Sequence, residues 1–104
     1  MRHLTVVIGT AIVAAVAGAA HAQTPDPNLA RNLAAGCANC HGTNGVSVGG
    51  TPSLAGQSRQ DLVAKMKAYK AGTRPSTIMG QLAKGYTDEQ IELMSGWFAA
   101  QPAK

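Results

Sequence analysis

Cys37-Ala38-Asn39-Cys40-His41 contains both cysteines of this 104-residue chain and places an imidazole directly after the second. The length admits one domain. Little else offers a centre to fold around: the chain has one Trp, one Phe and two Tyr. Residues 1–22 read as a leader, and 12 of the 32 apolar residues of the remaining 23–104 are alanine. A domain of that size buries too little apolar surface to be secure on hydrophobicity alone. Small domains make up the difference with a staple such as a disulfide, a metal or a cofactor. The cysteine pair and its histidine are where that staple is expected.

The leader has three parts. Met1-Arg2-His3 is a short basic start, Leu4 to Ala17 is uncharged and rich in Val, Ile and Ala, and Ala20-His21-Ala22 is small-x-small. That pattern predicts a signal peptide over 1–22, cleaved after Ala22, and a single mature domain over 23–104. The competing reading is a membrane anchor, but the uncharged run from Leu4 to Ala20 is at the short limit for a span and no stop-transfer charges follow it. No stable membrane insertion is expected after cleavage. Export leads to the periplasm, an oxidising compartment. It also removes His3 and His21, leaving His41 as the only imidazole. Without Arg2, eight basic side chains face five acidic ones, in no run and with no interleaved aromatics. Nucleic acid is therefore not an expected partner.

The mature chain reads as all-α, with three to five short helices and long loops. Asn28 is a candidate cap for a helix running to about Gly36, with Leu29, Leu33 and Ala30 on one face. Residues 42–57 are punctuated by Gly42, Gly45, Gly49, Gly50, Pro52 and Gly56, which predicts a loop. Ser58 is a good cap for Arg59 to Ala71, with Gly72 as the stop. Leu62, Met66 and Tyr69, with Val63 beside them, form its apolar stripe, leaving Lys65, Lys67 and Lys70 to solvent. Residues 73–85 read as irregular, with a short helical turn after Met79. Thr87 and Gln90 form a capping box for a last helix whose inward stripe is Ile91, Met94 and Phe98, flanked by Leu93 and Trp97.

Cys-x-x-Cys-His is the attachment signature of c-type haem. Two thiols three positions apart on a turn can each add to a vinyl group on one edge of a porphyrin, and the next residue can direct its imidazole at the iron. The ring would then provide the missing core. Three other readings compete. A redox-exchange disulfide belongs in a βαβ setting, and no strand-like alternation is present. A zinc site needs a further Cys or His that the mature chain lacks. A structural pair with no cofactor fits poorly with export to the compartment where haem is attached.

A second axial ligand follows less directly. His/Met ligation raises the potential of electron-transfer cytochromes, and no second mature His exists. Met66 and Met94 sit on apolar helix stripes, where methionine commonly fills core. Met79 lies between helices beside Gly80 and is the expected ligand.

The order of the Cys37–His41 motif, Thr51-Pro52-Ser53-Leu54-Ala55-Gly56-Gln57, Met79 and a last helix with Trp97-Phe98 resembles class I c-type cytochromes over nearly all of the mature chain. The resemblance implies that Cys37 and Cys40 hold haem c, that His41 and Met79 ligate its iron, and that the Pro52 carbonyl accepts from the other nitrogen of His41. It further implies that Leu54 packs on the porphyrin, that the first and last helices cross near Leu33 and Trp97/Phe98, and that Arg74 can meet a haem propionate. The stretches 72–79 and 83–91 are most similar to the cytochrome subunit of flavocytochrome c sulfide dehydrogenase, and similar also to one half of the two-haem periplasmic cytochromes.

The implied role is one-electron transfer, not catalysis. Three versions follow: the haem subunit of a sulfide-oxidising flavoprotein; a carrier diffusing between respiratory complexes such as a terminal oxidase; and an open-site haem catalyst or sensor. Met79 and the lack of a second mature His weigh against the last. Thr43 to Gly50, small and uncharged, are the expected docking rim for a redox partner.

Overall fold

The computed structural model describes residues 25–103, so the expected leader and its cleavage site lie outside the described residues. The described residues are helical with no strand: α1 (Leu29–Ala35), α2 (Ala38–His41), a 3-10 turn at Thr43–Gly45, α3 (Arg59–Ala71), α4 (Met79–Ala83) and α5 (Asp88–Ala99). None of these helices is long and apolar enough to cross a membrane.

The two long helices begin and end where local chemistry dictates. The Ser58 hydroxyl accepts from the Asp61 N–H at 3.1 Å, and Gly72 closes α3 in the left-handed conformation (φ 76). At α5, the Thr87 hydroxyl accepts from the Gln90 N–H at 3.1 Å while the Gln90 side chain takes the Thr87 N–H at 2.9 Å. Each arrangement satisfies an N–H that helix geometry leaves without a partner. Asn28 does not act as a side-chain cap. Its own N–H is taken by Asp26 Oδ1 at 2.8 Å, and α1 is a short helix held by its neighbours.

α5 packs against α1 on one side and α3 on the other, and α4 lies on α3. Ala34, Leu62 and Phe98 form the buried cluster, with Cys37, Leu54 and Trp97 packed on it. Ile91, Met94 and Phe98 are buried along α5 as the stripe predicts, and Trp97 meets Phe98 edge-on at 5.2 Å. The buried residue of α1 is Ala34, whereas Leu33 is half-buried and Leu29 is exposed. In so short a helix the face turned to α5 is decided by how closely the backbones approach, and alanine permits the closer approach. Arg59 pairs with Glu92 at 2.7 Å and Lys70 with Asp88 at 3.2 Å, tying α3 to α5 at both ends. Exposed pairs of this kind add little stability; the cluster beneath them carries the packing.

Candidate haem site

α2 is a single turn, and it sets the site. Cys37 precedes it, and Cys40 and His41 are its last two residues. The His41 N–H bonds back to the Cys37 carbonyl at 2.9 Å, which keeps the two thiols and the imidazole on one compact turn. Both cysteines are free; Cys37 is half-buried and Cys40 exposed. Burial pushes the Cys37 thiol above its usual range, and the neighbouring Cys40 adds to the effect.

Directly after the motif the chain must turn sharply. Gly42 has φ 84, and a side chain there would overlap the Val46 carbonyl. Only glycine fits, both for the left-handed backbone and for the space. Sequence reasoning listed Gly42 among loop punctuation and missed this role, although its place directly after His41 was the available signal.

The loop from Thr51 to Gln57 comes back over α2. His41 Nδ1 donates to the Pro52 carbonyl at 2.7 Å. The loop is pinned by Leu54 N–H and Ala55 N–H, both on the Gly45 carbonyl at 2.8 and 3.1 Å, and by Gly56 N–H on the Phe98 carbonyl at 3.1 Å. With Nδ1 committed, Nε2 is the ring nitrogen left to act as a ligand, and the carbonyl fixes the orientation of the ring.

These residues face a cavity of about 480 Å³. All six sequence-expected site residues, Cys37, Cys40, His41, Pro52, Leu54 and Met79, line it. Apolar walls come from Leu62, Met66, Met94 and Phe98, and the polar residues at its edge include Gln57, Lys65 and Arg74. No carboxylate is among the lining residues. Met79 is the first residue of α4, not part of an irregular segment. The preceding turn is held by the Gly80 N–H on Ser76 Oγ at 2.8 Å. Met66 and Met94 reach the same cavity. Arg74 stands over the Tyr69 ring, its guanidinium carbon 5.3 Å from the centroid. Lys65, expected on the solvated face, is instead half-buried and turned to the cavity, where Gln57 accepts from it at 2.8 Å.

The donor set fits a c-type haem. Two free thiols, a backbone-tethered imidazole and thioethers converge on one apolar cavity. Soft sulfur and imidazole donors suit iron, and dry walls suit a porphyrin.

Comparison with known proteins agrees. The family model for cytochrome c matches residues 15–99. The chain is 44% identical over 66 residues to the cytochrome subunit of sulfide dehydrogenase from Chlorobaculum tepidum, covering 64% of this chain and 60% of that one. It is 40% identical over 67 residues to the thiosulfate dehydrogenase electron acceptor of Stutzerimonas stutzeri, covering 61% of this chain and 31% of that one. It is also 35% identical over 69 residues to cytochrome c-554(548) of Halomonas halodenitrificans, covering 83% of that chain. The protein belongs to the cytochrome c family, in its class I all-α form. As such it carries covalent haem c; it spans less than two thirds of the length of the Chlorobaculum and Stutzerimonas relatives.

Proposed function

We propose that Cys37 and Cys40 bind the haem as thioethers and that His41 and Met79 are its axial ligands. We further propose that the mature chain, residues 23–104, works in the periplasm as the electron acceptor of a sulfur-oxidising dehydrogenase, a flavoprotein that oxidises sulfide. The observation that supports the site is the convergence of those four side chains on one cavity with His41 Nδ1 held by Pro52 at 2.7 Å. A sulfur-compound dehydrogenase as partner is supported by the names of the relatives from Chlorobaculum and Stutzerimonas, and sulfide as its substrate by the Chlorobaculum name alone.

The chemistry supplied by bound haem is a one-electron change at iron. The protein's part is to keep that change from disturbing its surroundings. Pro52 fixes the His41 ring, so the imidazole does not rotate between oxidation states. Met79 offers a neutral thioether, which favours the reduced, less charged iron. Leu54, Leu62, Met94 and Phe98 exclude water from the walls, which acts in the same direction. Arg74, at the edge, suits a carboxylate of the porphyrin.

The test is to mix the haem-loaded protein with a sulfide-oxidising flavoprotein and follow the haem absorption after sulfide is added. Reduction within the turnover time of the flavoprotein is expected. A haem that stays oxidised defeats the subunit reading.

A second reading is a freely diffusing carrier, serving for example a terminal oxidase. It is favoured by the match to cytochrome c-554(548), which covers 83% of that chain. Reduction or oxidation by several unrelated partners, with no stable complex in size-exclusion chromatography, separates it from the first.

A further inference from the structure

Lys65 is placed differently from the other cations of α3. Arg59 and Lys70 reach carboxylates and Lys67 is exposed, whereas Lys65 lines the cavity and donates to a neutral amide, Gln57 Oε1, at 2.8 Å. Among the described residues no carboxylate lies within ion-pair distance of it. Holding an ammonium there with only a neutral acceptor has a desolvation cost, so the contact calls for a role.

The hydrogen bonds continue inward. Gln57 Nε2 donates to the Ser53 carbonyl. Ser53 follows Pro52, whose carbonyl takes His41 Nδ1. On the other side, Ser53 Oγ accepts from the Ser47 N–H at 2.9 Å. The short 52–53 segment is therefore clamped from two directions, by the 42–47 loop and by α3. The clamp from α3 runs from the Lys65 side chain through that of Gln57 to the Ser53 carbonyl. An ammonium on Oε1 polarises the Gln57 amide and strengthens the N–H bond it makes at its other end.

We infer that Lys65 and Gln57 are positioning residues for the His41 ligand: together they hold the 52–53 backbone so that the Pro52 carbonyl stays on His41 Nδ1. This rests on the proposed ligation of iron by His41. The pair touches neither the iron nor the imidazole and acts through the backbone it anchors. Its loss should loosen the ring before it unfolds the domain, because Leu54, Ala55 and Gly56 keep their own backbone anchors.

The test uses the haem-loaded protein and proton NMR of the His41 ring, with the reduction potential measured in parallel. Gln57→Leu removes both contacts. Gln57→Glu still accepts from Lys65 and cannot donate to Ser53. Lys65→Met removes the ammonium, and Lys65→Arg restores a cation. The expected result is about tenfold faster exchange of the His41 Nδ1 proton in Gln57→Leu and Gln57→Glu, the effect of one lost hydrogen bond. Shifted ring resonances and an altered potential should accompany it. Lys65→Met should give a smaller change in the same direction, and Lys65→Arg should return the parent values. If the first three variants load haem and leave the exchange, shifts and potential of the parent, the positioning role is wrong while ligation stands. If the parent's own His41 ring protons carry no iron-induced shift, the ligation reading fails and this inference falls with it.

Discussion

Gly45 lies against the edge of Phe98 so closely that a Cβ there would stand 2.7 Å from Cδ1 of that ring. The same residue has φ 78 and gives its carbonyl to two N–H groups of the loop that carries Pro52. Gly45→Ala therefore adds steric overlap to left-handed strain at the junction of loop and core. A destabilisation of about 2–4 kcal/mol is expected, combining overpacking with an unfavourable backbone conformation. Chemical unfolding of the haem-loaded protein measures it. A loss under 0.5 kcal/mol, the range of a neutral surface substitution, would mean that Phe98 has room to retreat.

Three methionines line the cavity, and substitution separates them. Met79→Ala should open one side of the iron, remove the thioether-to-ferric-iron absorption band and lower the potential by on the order of 0.1 V, within the roughly 0.8 V span that axial ligands command. Met66→Leu and Met94→Leu should leave the ligation spectrum in place, since each exchanges one apolar wall residue for another at a cost of less than about 1.5 kcal/mol. Loss of the band in either of these, with Met79→Ala unaffected, would reassign the ligand.

Withholding haem should leave the chain largely unfolded. Without the ring, the apolar walls of the cavity lose their packing partner, and a small domain has only about 5–15 kcal/mol of stability to lose. Circular dichroism of haem-free protein should show little helix. Thiol labelling gives a second reading with a defined sign. In the folded chain Cys37 is half-buried, with its pKa raised by that burial, whereas Cys40 is exposed, so Cys37 should be labelled the more slowly of the two. Any such fold would be further weakened as pH rises past the ordinary thiol range, where the unfolded chain ionises first. Equal labelling rates are expected of the haem-free chain. Slow Cys37 with fast Cys40 would reveal a folded apo form.

The capping box of α5 can be tested apart from the cofactor. Thr87→Ala removes the acceptor of the Gln90 N–H and should cost about 1 kcal/mol. Thr87→Ser should recover most of it. Thermal unfolding of the haem-loaded variants distinguishes the two, and an unchanged midpoint for Thr87→Ala would show that packing alone fixes the start of the helix.

What was legible in the sequence was whatever is decided within a few residues. Ser58, Gly72 and the Thr87/Gln90 pair mark helix ends because caps are local bonds, and the Cys37–His41 motif is contiguous. What was hidden depends on distant partners. Lys65 read as solvated because Gln57 is eight residues earlier and on a loop. The resemblance places the crossing of the first and last helices near Leu33, and the side chain buried there is that of its neighbour Ala34. Asn28 has the composition of a cap, but Asp26 claims its backbone first. The short helical turn expected after Met79 is α4, which begins at Met79 itself; what the sequence did not show is the Ser76 bond to the Gly80 N–H that sets its start.

Between Arg31 and Arg59 there is no Asp, Glu, Lys or Arg, and the stretch includes the attachment motif, the Pro52 loop and Val48, which is 99% exposed at a glycine-rich tip. A partner approaching this region meets shape without a local charge pattern to guide it. Long-range attraction has little to act on there, so encounter should proceed near the unsteered rate, about 10⁵–10⁶ M⁻¹s⁻¹, and change little with ionic strength. Association at this surface is therefore expected to depend on contour more than on sign of charge, and association rates measured at low and high salt would test it.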